Sequence, residues 1–157
     1  LAENSEYSRL VEALKGDGFR MTAPRRAMLR ALSQAGVPLS VQQIHEEANR
    51  ILNPENGVGE EELDLVTAYR FANLLAEKNL AQRIEFNEGY FRYEIAESSE
   101  RPHHHHLVCR SCGKIEDFQD CGLTHLTTRL EKESGFKVAE HKLEVFGTCP
   151  KCQITSR

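Results

Sequence analysis

The chain has 157 residues, 39% hydrophobic and 28% charged, with a formal net charge of -4, an ordinary globular composition for one or two small domains. No apolar run is long enough to cross a bilayer, and no charged-then-apolar leader precedes the first helix-like segment. Neither a membrane-spanning helix nor export is therefore expected, and a cytoplasmic protein is the default expectation. The charge is unevenly spread: Lys15, Arg20, Arg25, Arg26 and Arg30 face only Asp17 within one short stretch, whereas Glu46 to Asp64 is strongly acidic. A polyanion such as DNA would meet the first stretch and avoid the second, although solvated helix faces would give the same pattern.

Tyr7, Leu10, Val11 and Leu14 recur at helical spacing, and the glycines of "KGDGF" end that helix. "TAPRRAMLRAL" predicts a second helix, with Thr22 as a capping hydroxyl and Pro24 in its first turn. In "LSVQQIHEEANRIL", Ser40 and Gln43 form a capping-box pair, and Ile44, Ala48, Ile51 and Leu52 share a face. An acidic, turn-rich loop over 53–64 follows. "DLVTAYRFANLLAEKNL" then directs Leu65, Ala68, Phe71, Ala72 and Leu75 to a core, leaving Thr67, Arg70, Asn73 and Glu77 on another stripe. Period-two alternation on both sides of Asn87-Glu88-Gly89 predicts a hairpin. Helices followed by a hairpin make a winged helix-turn-helix, placed over residues 1–94.

Residues 95–157 have a different character. "AESSERP" is polar and hinge-like. "HHLVC" and "KIEDF" predict strands, "GLTHLTTRLEKESG" a helix ended by Gly135, and "FKVAEHKLEVFGTC" one or two strands. The whole is an α+β chain: an N-terminal winged helix and a small C-terminal α/β domain.

Four of the five cysteines fall as Cys109-x-x-Cys112 and Cys149-x-x-Cys152. Two residues between cysteines let both sulfurs reach one ion, and two such knuckles complete a tetrahedron. Structural zinc is the expected occupant, with a redox disulfide as the alternative; a four-sulfur site has no open position for substrate. Cys121 is left over and reads as a buried or surface thiol, with a redox or ligand role as the alternative. The run His103-His104-His105-His106 alternates faces if it is a strand, so His104 and His106 point one way and His103 and His105 the other. It offers two ligand sets, unless it is merely a solvated polar run.

In order, "GFRMTAPR", "TAYR", "HHHHLVCRSCGKIEDF" and "GFKVAEHKLEVFGTCPKC" cover nearly the whole chain. It resembles the ferric uptake regulator superfamily of bacterial metal-responsive repressors. The resemblance implies a homodimer joined through the C-terminal domains, with the winged helices on palindromic double-stranded DNA operators. It puts Thr67, Tyr69 and Arg70 on the recognition helix and Arg20 at the minor groove. Arginine suits bidentate base or phosphate contacts, and tyrosine can pack on a thymine methyl. It implies a regulatory metal site between the domains, carried over to Glu94, His104, His106 and Asp117. A further metal site corresponds to His103, His105 and His141. A histidine that the family takes from its DNA-binding domain corresponds to Pro38, with His45 farther along, and an acidic ligand of the further site corresponds to Thr124.

Mixed histidine and carboxylate donors accept Fe(II), Mn(II) and Zn(II) alike. The resemblance implies that zinc sensors often add a cysteine to the regulatory site; none stands near Glu94, so iron is the expected effector, with zinc, manganese and peroxide responses as the alternatives. From other classes, a zinc-binding interaction or buffering module needs no DNA contact, and a zinc hydrolase would need a general base such as Glu116 beside Asp117.

Overall fold

The computed structural model describes residues 2–54, 62–96 and 103–155. Residues 55–61 of the acidic loop and 97–102 of the hinge lie outside the described residues. The chain divides into two compact units, Leu1–Arg101 and Pro102–Arg157.

The first unit comprises α1 (Ala2–Gly16), α2 (Ala23–Ala35), β1 (Leu39–Ser40), α3 (Val41–Leu52), α4 (Leu65–Glu77), β2 (Ala81–Ile84) and β3 (Arg92–Ile95). Its core gathers Leu10 and Leu14 of α1, Met28, Leu29 and Leu32 of α2, Ile44 and Ala48 of α3, and Ala68, Phe71 and Leu75 of α4. Burying each large aliphatic side chain is worth about 1.5–3 kcal/mol, so these apolar stripes hold the unit together. The capping box at the start of α3 is present: Gln43 N donates to Ser40 Oγ at 3.2 Å, and Ser40 N donates to Gln43 Oε1 at 2.9 Å. At α2 the expectation fails in part. Thr22 occupies the N-cap position, but its side chain makes no capping hydrogen bond. The helix start rests instead on Pro24, whose fixed φ suits a first turn.

β2 and β3 form the hairpin, with Gln82 opposite Glu94 and Ile84 opposite Arg92. Asn87 (φ 59°) and Gly89 (φ 79°) supply the left-handed residues that turn the chain. The two-residue β1, too short for any periodicity to announce, adds a third strand in the order β1-β3-β2. Arg92 anchors this wing by donating to both Glu88 oxygens at 2.7 and 2.8 Å and to Gln43 Oε1 at 2.9 Å.

The second unit comprises β4 (His105–Cys109), β5 (Ile115–Phe118), α5 (Thr124–Ser134), β6 (Glu144–Gly147) and a short α6 (Pro150–Thr155). The "FKVAEHKLEVFGTC" stretch resolves into one strand, and α6 had no sequence signal of its own. The sheet order is β5-β4-β6, antiparallel on one side and parallel on the other. Gly135 closes α5 in the left-handed conformation (φ 77°). Among the described residues of this unit the buried apolar side chains are Val108, Cys109 and Ile115, a thin core for a domain of this size.

Candidate functional site

Helix α4, which carries Thr67, Tyr69 and Arg70, is fixed at its start from two directions. Asp64 caps it, accepting from Thr67 N at 2.8 Å and from Thr67 Oγ1 at 2.6 Å. These bonds, the Thr67 hydroxyl first, hold the Asp64 carboxyl below its ordinary pKa. Asn49 of α3 pairs with the backbone of Leu63, donating to its carbonyl at 3.1 Å and accepting from its N–H at 2.9 Å. Whatever path the acidic loop takes, the helix therefore begins at a set place on α3. Ala68, Phe71, Ala72 and Leu75 face the core as expected. Leu65 does not: at the first turn it is 38% exposed, because the core stripe begins only at Ala68. Tyr69, Arg70 and Asn73 are exposed. The Tyr69 hydroxyl accepts from Gln42 at 3.3 Å, and Asn73 accepts from the buried Tyr93 at 2.7 Å. Arg20 is exposed in the turn between α1 and α2, and its carbonyl accepts from Arg25 at 2.7 Å.

The four cysteines of the paired motifs converge, their sulfurs all within 4.8 Å of one another. The first knuckle is a tight turn in which Gly113 N donates to the Cys109 carbonyl at 2.9 Å, with Gly113 at φ 72°. The second is brought alongside by the parallel pairing of Cys109 with Gly147. Cys112 and Cys149 sulfurs are 3.7 Å apart. That is far beyond a disulfide bond of about 2.05 Å. It matches the edge of a tetrahedron with metal–sulfur bonds of about 2.3 Å, which is about 3.8 Å. Backbone N–H groups, that of Cys149 foremost, lower the Cys109 thiol to about 6, whereas the neighbouring sulfurs of Cys112 and Cys149 push Cys152 up to about 12. A cation among the four sulfurs would balance the negative charge that their thiolates bring together.

The histidine run splits by faces as alternation requires. His104 and His106 rings lie 5.1 Å apart, and both side chains are buried. Asp117, paired with His106 across the β4–β5 ladder, presents its oxygens 3.9 Å from His104 Nε2 and 3.7 Å from His106 Nε2. Two donors each about 2.1 Å from one ion in tetrahedral geometry lie about 3.4 Å apart, so slight closure accommodates a cation. Glu94 is buried on β3. Glu116, on the alternate face of β5, is exposed and paired with Lys114. His45 Nε2 lies 3.1 Å from Asn49 Nδ2 one turn along α3, and Pro38 is buried.

On the other face, His103 and His105 rings stack edge to face at 4.5 Å, and His103 Nε2 meets His141 Nε2 at 3.0 Å. Burial, then the neighbouring His103 and His141, hold the His105 pKa below its ordinary value, so it stays a neutral imidazole. The fourth member is Cys121, 3.0 Å from His141 Nε2. In sequence Cys121 stands apart from the paired cysteines, with a ligand role only the lesser reading; the fold places it in a cluster of potential ligands. Thr124 begins α5, where its carbonyl accepts from Thr127 and Thr128.

A winged helix with an exposed polar face on α4, joined in one chain to a small sheet whose cysteines and histidines gather in groups that could hold metal ions, has the architecture of a winged-helix metal-responsive regulator. The ferric uptake regulator family model matches residues 16–146. The ferric uptake regulation protein of Campylobacter jejuni is 31% identical over 156 residues, covering 97% of this chain and 94% of its own. The structure of the Helicobacter pylori ferric uptake regulator, with three functional metal binding sites, superimposes with a TM-score of 0.75 at 26% identity, over 96% of this chain and 93% of that one. A zinc-bound manganese uptake regulator does so with a TM-score of 0.70 at 26% identity, over 89% and 98%. The chain belongs to the ferric uptake regulator family, whose members are metal-responsive transcriptional regulators and not enzymes. The hydrolase alternative falls with that assignment.

Proposed function

We propose that this chain is an iron-responsive repressor that binds palindromic operators as a metal-loaded homodimer in the cytoplasm. The observation that carries the reading is the buried pair His104 and His106 facing Asp117, in a chain whose α4 exposes Tyr69 and Arg70. The family resemblance adds Glu94 to the ligand set. A divalent ion there would supply positive charge and directional coordination. The chain's part is to hold two buried imidazoles and a carboxylate near ligand spacing on neighbouring segments of one sheet. Nitrogen and oxygen donors without sulfur suit Fe(II) and Mn(II) as well as Zn(II). Manganese or zinc is therefore the second reading, favoured by the likeness to the manganese uptake regulator. Among the described residues no helix is long and apolar enough to cross a membrane.

The four-cysteine site suits Zn(II) as scaffold, since all four positions are taken by protein sulfur. Dimerisation is supported by an unpartnered apolar face. Leu107 and Val145, in register on β4 and β6, are 42% and 40% exposed, and Leu126 and Leu130 of α5 are exposed as well. Leu107→Glu should convert dimer to monomer at micromolar concentration while leaving zinc content unchanged. Removing one such anchor costs about 1.5–3 kcal/mol before the added charge is counted. Sedimentation analysis reads the outcome, and an unchanged dimer would place the interface elsewhere.

The deciding experiment selects bound sequences from a random DNA pool with protein loaded with Fe(II), Mn(II) or Zn(II), without oxygen for iron. A palindromic sequence enriched with iron is the expected result; enrichment with none of the metals would overturn the repressor reading. On that operator Arg70→Ala should cost about 1–3 kcal/mol and relax the preference at one base position per half-site. Equal affinity of Arg70→Ala and wild type at one salt concentration would take α4 out of the recognition role.

A further inference from the structure

We infer that Cys121 is the fourth ligand of a closed site of three nitrogens and one sulfur, with His103, His105 and His141, and that this thiolate makes the site selective for zinc-like ions over Mn(II). The inference does not depend on what the His104 and His106 face senses, because the two faces of the strand carry separate donor sets.

Three observations carry it. Ligand atoms of all four residues lie within 4.8 Å of one another, with His141 Nε2 3.0 Å from both His103 Nε2 and Cys121 Sγ. Nitrogen and sulfur donors on one tetrahedral ion lie about 3.3–3.8 Å apart, so the group is already near that spacing. His105 is 1% exposed, and its Nε2 is buried without a hydrogen-bond partner. An orphaned imidazole nitrogen in the interior is costly unless something meets it, and a cation in this cluster would.

The third observation is topological. The parallel ladder pairs His106 with Glu144, and extending that register back three residues sets His103 beside His141. The antiparallel ladder pairs His105 with Phe118, so the chain leaving β5 passes His105 just before Cys121. Segments remote in sequence deliver four donors to one point. Between α5 and β6 the chain has no regular structure over 136–143, and a bond to His141 would pin that connection to the strand.

Thiolate is a soft donor, and Mn(II) stands at the weak end of the divalent series. Three imidazoles and a sulfur therefore favour Zn(II) or Co(II), whereas the nitrogen and oxygen set on the other face discriminates less.

Co(II) tests this optically, because a bound thiolate adds a sulfur-to-cobalt charge-transfer band that nitrogen and oxygen ligands lack. Full-length protein is first loaded with one zinc per chain in its four-cysteine site, and zinc is assayed throughout to exclude exchange. Wild type should take up a further Co(II) with tetrahedral bands and the charge-transfer band, reversed by Zn(II) and not by excess Mn(II). Cys121→Ser should lose the charge-transfer band and bind Co(II) at least tenfold more weakly; the His104→Ala, His106→Ala double variant should keep the band. A Cys121→Ser protein with the wild-type band and affinity, or a zinc-loaded wild type that shows no such band, overturns the assignment. Alkylation of unsubstituted protein gives a readout free of any folding defect: Co(II) or Zn(II) should protect Cys121, and equal labelling with and without metal overturns the assignment as well.

Discussion

Cys149→Ser is expected to empty the four-cysteine site and unfold the C-terminal unit. The described part of that unit buries only Val108, Cys109 and Ile115 as apolar side chains, and α5 buries none. Such a core cannot offset the ordering of its own backbone. A structural zinc contributes about 10–16 kcal/mol in small zinc-dependent domains. Losing one of four sulfurs, and with it the charge balance around Cys152, should cost several kcal/mol of that and take the apolar face around Leu107 and Val145 with it. The N-terminal unit has its own core across α1 to α4 and should stay folded. The expected result is protein with no tightly held zinc, a monomer by sedimentation, and a single thermal unfolding step, that of the N-terminal unit. A Cys149→Ser dimer that keeps one zinc per chain would contradict the scaffold role.

The double replacement His104→Ala with His106→Ala should have the second large effect, on regulation and not on folding. His106 on β4 and His104 just before it project to the same side and meet the same carboxylate, Asp117. Removing them leaves the four cysteines and the face around Leu107 untouched, so zinc content and dimer should survive. If this set is the sensor, metal and operator favour each other by one coupling free energy, typically about 1–3 kcal/mol, or roughly 5- to 150-fold in affinity. The variant should bind operator equally with and without Fe(II), Mn(II) or Zn(II), at the weaker, metal-free affinity. His103→Ala, on the opposite face, should change this stimulation far less. A double variant stimulated by metal like wild type would remove the run from the sensing role.

Much of this molecule follows from interactions that span only a few residues. The 3.6-residue stripes of α1, α3 and α4, the Ser40–Gln43 capping box and the left-handed turn around Asn87 and Gly89 are short-range features. So are the Cys-x-x-Cys knuckles, whose two-residue gap suits a shared ion, and the period of two that divides His103 and His105 from His104 and His106. Leu65 and Thr22 show where such reasoning overreaches. A side chain in a helix's first turn faces the core only if the core extends that far, and a capping hydroxyl bonds only if the local backbone brings a donor to it.

What the chain alone left open depends on register between remote segments. β1 exists because Leu39 and Ser40 find the far side of β3, some fifty residues on. The parallel pairing of β4 with β6, invisible in either strand's own pattern, both closes the four-cysteine site and sets His141 beside His103. Cys121 had no partner at any ligand spacing in the sequence. Only the return of β5 along the histidine strand brings its sulfur to His141, because a ligand set built from three segments is defined by where the chain goes and not by how its residues are spaced.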